Sequence, residues 1–268
     1  MLPIAPGALL AICCLGACTT STKTTAAPDV RETARTYTTE FSVAENAISE
    51  KGMWITGKVA GFDWADIAVT PGLAYGVESG TDGYDDSTAV LTGSWGPDQT
   101  AQGTVHTRNQ NNDVIEEVEL RLRSSLSAHR AAGYEINFRC SKTPNAYAEI
   151  VRWNGPLGKF TYLNRASGAK YGVTDGDIVT ATAVGNLITA YINGVPVLEA
   201  TDGTYPTGSP GMGFFLRGAT GVNRDYGFTS FRASGAPRAG SGADGTKQII
   251  PRRYETEHSA QHSTTPIS

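Results

Sequence analysis

The chain has 268 residues, 40% of them hydrophobic and 18% charged, so most of it can bury a core and it is not a disordered polyelectrolyte. Its 22 basic and 26 acidic residues leave a net charge of −4, with no basic excess for phosphate backbones, which argues against a nucleic-acid partner. The 31 glycines and 13 prolines make it dense in turns, yet below the roughly 25–30% that marks low-complexity chains.

Leu9 to Ala17 is a short apolar run, well under the roughly 20 residues that span a bilayer but suited to the apolar region of an export signal. It closes on Leu15-Gly16-Ala17-Cys18, which resembles the lipobox of bacterial lipoproteins. That resemblance implies a signal peptide over 1–18, lipidation of Cys18, and a membrane contact made through the lipid anchor alone. Residues 19–36 follow as a Thr-rich linker with little to bury. By the same resemblance, Thr19 after the lipidated cysteine favours an exported protein held at the outer membrane of a two-membrane cell. Cys13 and Cys14 would leave with the signal, so Cys140 would remain alone as an inert buried thiol rather than a nucleophile.

From 37 to 234 the pattern alternates strand and turn. Phe41-Ser42-Val43 opens it, and Met53 to Val59, Asp66 to Thr70, Leu73 to Val77 and Thr88 to Thr92 are short β-type runs between Gly, Pro, Asp or Ser. Glu117 to Leu122 alternates strictly, with Val118, Leu120 and Leu122 on one face and Glu117, Glu119 and Arg121 on the other. Tyr134 to Cys140 sets Tyr134, Ile136, Phe138 and Cys140 opposite Glu135, Asn137 and Arg139. Such alternation predicts half-buried antiparallel strands. Asp177 to Val184, Gly185-Asn186 and Leu187 to Ile192 predict a hairpin, and Asn193-Gly194 begins the next one into Val195 to Ala200. Gly213 to Arg217 and Gly227 to Arg232 supply closing strands. No 3.6-residue apolar period predicts a long helix. Residues 235–268 are polar and predicted to form a disordered tail.

Several segments carry a resemblance to the concanavalin A-like lectin/glucanase superfamily, as in laminin G-like domains. They are Glu117 to Arg123, Gly133 to Arg139, Tyr147 to Trp153, Gly176-Asp177-Ile178-Val179, Gly185 to Gly194, Gly208 to Phe215 and Asp225-Tyr226-Gly227-Phe228. The resemblance covers roughly 110–234 and implies an all-β jelly-roll sandwich of two curved antiparallel sheets. It does not imply an activity.

Glycosidases of that superfamily place two carboxylates on one strand face, and family 16 glucanases carry Glu-x-Asp-x-x-Glu. Here Ile115-Glu116-Glu117-Val118-Glu119-Leu120 lacks the central Asp. Glu117 and Glu119 share a face that Glu135 could join, so these three are the alternative catalytic set. The plainer expectation is a solvated polar face balanced by Arg121 and Arg139. His106 and His129 stand apart, with no lyase motif, Ser-His-Asp triad or zinc spacing around them. The loop Gly80 to Ser87 offers Asp82, Asp85 and Asp86 as a possible calcium site, though Asp and Gly are also ordinary turn residues. Trp64 and Trp95 lie beside turns, where packing accounts for them. The expected site is therefore a carbohydrate-binding face of Glu119, Asn137, Arg139 and Arg152 beside Trp153 and Tyr162. It binds glycan without cleaving it and needs no cofactor. A divergent hydrolase or lyase, and a structural or adhesive envelope protein, are the alternatives.

Overall fold

The computed structural model describes residues 34–61, 63–81, 83–108, 113–218 and 220–236. Cys18, the signal peptide, the Thr-rich linker but for its last residues, and most of the predicted tail lie outside the described residues. In chain order the strands are β1 (Arg35–Thr39), β2 (Glu45–Asn46), β3 (Trp54–Thr56), β4 (Ile67–Thr70), β5 (Leu73–Gly76), β6 (Ser87–Leu91), β7 (Asp98–Thr107) and β8 (Ile115–Ser127). They continue with β9 (Arg130–Arg139), β10 (Tyr147–Gly155), β11 (Phe160–Ser167), β12 (Ile178–Val184), β13 (Leu187–Ile192), β14 (Val195–Thr201), β15 (Ser209–Arg217) and β16 (Tyr226–Ala236). Two single-turn 3-10 segments, Ala169–Tyr171 and Asn223–Asp225, are the only helical turns among the described residues.

The strands form two antiparallel sheets. One runs β14-β13-β12-β7-β16-β5-β4-β2, with β1 also paired to β16; the other runs β11-β10-β9-β8-β15-β6-β3. This is the jelly-roll sandwich that the resemblance implies, built from the antiparallel strands that the alternation predicts. The alternation in β8 and β9 sends Val118, Leu120, Leu122, Ile136 and Phe138 between the sheets, where each is 0% exposed. They meet Ala181, Ala183, Ile188, Phe228 and Phe231 from the facing sheet. The predicted hairpin turn holds: Asn193 and Gly194 both have positive φ, 50° and 76°, as a type I′ turn demands. Phe41-Ser42-Val43 is not a strand; Phe41 has φ 51°, and the opening strand is β1. That strand lies antiparallel to the end of β16, with Arg35 opposite Gly235, so the chain enters and leaves the sandwich side by side.

The other face of β8 and β9 departs from expectation. Glu117, Glu119, Arg121, Glu135, Asn137 and Arg139 are buried, not solvated. A small apolar cluster of Trp64, Ala131, Val151 and Trp153, joined by Leu126 and Phe160, packs beside them on the outer face of the seven-stranded sheet. Trp64 comes from the loop before β4 and lies over the Arg121 guanidinium, 5.3 Å from ring centre to carbon.

Candidate functional site

Register assembles the site in rows across the seven-stranded sheet. One row runs Gly213, Glu119, Asn137, Glu149, Arg165 from β15 to β11. The next runs Gly211, Arg121, Glu135, Val151, Tyr162. Residues paired directly across strands on one face have Cβ atoms about 4.5–5.5 Å apart, so these polar side chains are forced into contact. A Cβ at Gly213 would collide with the Glu119 Oε2 and crowd the Arg121 guanidinium, so both side chains would have to shift.

Over these rows lies a cleft of about 220 Å³. Its floor is Asp86, Glu117, Glu119, Glu135, Asn137 and Glu149. Its walls include Tyr84, Tyr147, Phe160, Tyr162 and Phe215. The aromatic rings run from core to surface: Trp64 to Trp153 at 4.3 Å, Trp153 to Phe160 at 5.1 Å, and Phe160 to Tyr84 and Tyr162 at 5.1 and 5.2 Å. Tyr84 and Tyr162 end the chain half-exposed, at 49% and 48%.

The floor has more acid than base. Arg121 Nη2 lies 2.5 Å from Glu135 Oε2, 2.9 Å from Glu119 Oε2 and 3.7 Å from Asp86 Oδ2. One guanidinium thus serves three carboxylates, whose oxygens all lie within 4.8 Å of one another. Farther along, Arg165 pairs with Glu149 at 3.0 Å, and Tyr147 donates its hydroxyl proton to Glu117. Burial is the main cause of the altered acidity, reinforced by neighbouring carboxylates. It pushes Glu117 up to about 8 and holds Asp86 and Glu119 well above the usual carboxylate range. Outside the cleft, burial raises Glu78 to about 7.

These shifts set the sign of the pH dependence. A carboxyl whose folded value is raised binds protons that the unfolded chain releases. The contribution of these carboxyls to stability is therefore fully present below about 4.5 and is lost as pH climbs towards 8. We expect the chemical-denaturation midpoint to fall between pH 5 and pH 8, and Glu117→Gln to flatten that slope. A midpoint that rises over this interval would contradict the assignment.

The structure brings together Glu119, Asn137, Trp153 and Tyr162 of the expected site. It does not bring Arg152 to them. Arg152 follows Val151 and precedes Trp153 on β10, so it points to the opposite face, where it binds Asp202 at 2.5 Å and Thr204 at 2.8 Å. Arg139 lies on the right face but at the margin, donating to the Val114 carbonyl at 2.6 Å. Trp153 is a wall brace more than a platform: it is 2% exposed and its indole N–H donates to Glu135 at 2.7 Å. The alternative catalytic carboxylates Glu117, Glu119 and Glu135 do share the cleft floor. Of the loop acids, Asp82 lies outside the described residues. Asp86 turns into the cleft, and the described acids that converge are Asp86, Glu119 and Glu135, not a loop set. They could hold a cation, but Arg121 already stands among them.

Tyr84, Tyr147, Glu149, Phe160 and Arg165 were not expected. Glu149 had a signal: two and four residues before Val151 and Trp153, it must share their face.

No protein-family model matches the chain, and no curated protein is similar to it. Among solved structures it is similar to the carbohydrate binding module CBM66 from Bacillus subtilis, at 17% identity over 65% of this chain and 97% of that one, with a TM-score of 0.46. It is also similar to the exoplasmic/lumenal domain of VIP36 in its Ca2+/Man-bound form, at 12% identity over 68% and 82%, TM-score 0.47. A third is the beta-porphyranase BpGH16B from the human gut bacterium Bacteroides plebeius, at 10% identity over 77% and 94%, TM-score 0.42. These likenesses concern the β-sandwich and extend to no ligand.

Proposed function

We propose that this chain is a carbohydrate-binding β-sandwich that holds glycan in the cleft without cleaving it. The observation that carries this reading is the pairing of a floor of planar hydrogen-bonding groups with a half-exposed aromatic edge, Tyr162 and Tyr84. Sugar hydroxyls need donors and acceptors, and the apolar C–H face of a pyranose needs a ring to lie on. The absence of cleavage is supported by how the acids are engaged. Hydrolysis needs one carboxylate to attack and a second to protonate, whereas Glu119 and Glu135 each hold Arg121 through Oε2 and Glu117 accepts from Tyr147 through Oε1.

A glycan array probed with the full chain tests the reading. Tyr162→Ala is expected to weaken binding by about 1–3 kcal/mol, comparable to base–aromatic stacking, with the fold intact, because Tyr162 stands at the rim. Equal binding by that variant would remove the aromatic edge from the account. If the chain instead releases reducing ends from a polysaccharide, and Glu119→Gln abolishes that release, the hydrolase alternative replaces this one.

The anchoring is proposed on the lipobox-like Leu15-Gly16-Ala17-Cys18. Cys18→Ser is expected to move the protein from the membrane fraction to the soluble fraction. Unchanged detergent partitioning of that variant would end the anchored reading and, with it, the outer-membrane placement.

A further inference from the structure

Two acceptors at the centre of the cleft floor are unmatched. Glu119 Oε1 and Asn137 Oδ1 have no hydrogen-bond partner, although their residues are 0% and 7% exposed and both line the cleft. They face each other across β8 and β9. An unpaired buried acceptor is costly, and two side by side call for a donor once Glu119 is ionised. The donor's charge follows from the ion pairs: Asp86, Glu119 and Glu135 share one guanidinium, so the trio has two negative charges more than its partner offsets when ionised.

Resting on the carbohydrate reading above, we infer that the cleft takes a sugar unit bearing a free amine, its ammonium donating to Glu119 Oε1 and Asn137 Oδ1 and its ring face lying along Phe160 and Tyr162. An ammonium brings three donors and one positive charge to a place that has spare acceptors and surplus acid. A hydroxyl supplies a donor but no charge. A divalent ion supplies charge, but would have to share the trio with Arg121, which already lies within 3 Å of two of its three members. The aromatic walls pack against a sugar ring and favour a nearby ammonium, and a bare ion leaves them uncovered.

Binding of this kind moves protons. The groups that face Glu119 are Asp86 from the turn before β6, Glu117 and Arg121 from β8, Glu135 from β9 and, one strand farther along the same row, Glu149 from β10. Burial first, and the neighbouring acids second, keep Asp86 and Glu119 protonated above the usual range. An ammonium beside them favours their ionised forms, so uptake of the ligand expels protons into solvent.

The test is titration calorimetry of the full chain carrying Cys18→Ser with three hexameric probes: oligomers of glucosamine, of N-acetylglucosamine and of glucose. Each is run at pH 5.5, where the amine is already an ammonium, in two buffers of different ionisation heat. The glucosamine oligomer is expected to bind at least tenfold more tightly than the other two and to release protons. Glu119→Gln and Asn137→Ala are each expected to cut that preference below threefold, and Glu119→Gln to abolish the proton release; a variant that keeps the tenfold preference overturns the amine inference. Equal or tighter binding of the acetylated or glucose oligomer overturns the amine inference and leaves carbohydrate binding standing. So does calcium binding on its own that Glu119→Gln removes, which would make the trio a metal site. If no oligomer and no array glycan binds, the carbohydrate reading itself falls.

Discussion

Replacing Arg121 with methionine is expected to destabilise the domain by about 3–5 kcal/mol, the range for removing one partner of a buried ion pair. Arg121 is 2% exposed and is the cation within reach of Asp86, Glu119 and Glu135. Methionine fills much of the same volume under Trp64 but leaves the acids to one another. They can escape by taking up protons, so the loss should be larger at pH 8 than at pH 5. Guanidinium denaturation at both values checks this. An equal loss at the two would mean that packing, not charge, is what Arg121 supplies. Adding Glu119→Gln and Glu135→Gln to Arg121→Met should recover part of the loss, because the repulsion that remains is then gone.

Phe138→Ala is expected to cost about 3–5 kcal/mol as well, by a different route. Its ring is 0% exposed between the sheets, and truncation removes buried area and leaves a cavity that the flanking strands cannot close. This loss should be the same at pH 5 and pH 8, since the group carries no charge. A loss under about 1 kcal/mol would put Phe138 on the wrong face of β9.

The inter-sheet core was legible because period-two alternation assigns faces without any knowledge of partners: Val118, Leu120, Ile136 and Phe138 could only go together. The same rule separates Arg152 from Trp153, since adjacent strand residues point to opposite faces, and it groups Glu149 with Trp153. Placing Arg152 in the site therefore went against a constraint the sequence already held. The burial of the acidic row is another matter. It depends on Trp64 and Asp86, which lie about 30 residues or more before Glu117 and reach the sheet only through tertiary structure. A Glu-Val-Glu-Leu-Arg strand reads the same whether water or an indole covers its polar face, so no local pattern distinguishes the two. The unpaired oxygens of Glu119 and Asn137 emerge only when the cross-strand register is known.

The pairing of Arg35 with Gly235 has a mechanical consequence. Because the chain enters on β1 and leaves on β16 at the same end of one antiparallel pair, a load applied between the flanking segments pulls the two strands apart like a zipper, opening one hydrogen-bonded rung at a time. Strands pulled from opposite ends would resist in shear, with all rungs sharing the force. Tension between a tether at one end and a contact at the other would therefore peel the five residues of β1 from β16 first, while the acidic cleft, built on the other sheet, stays out of the line of force.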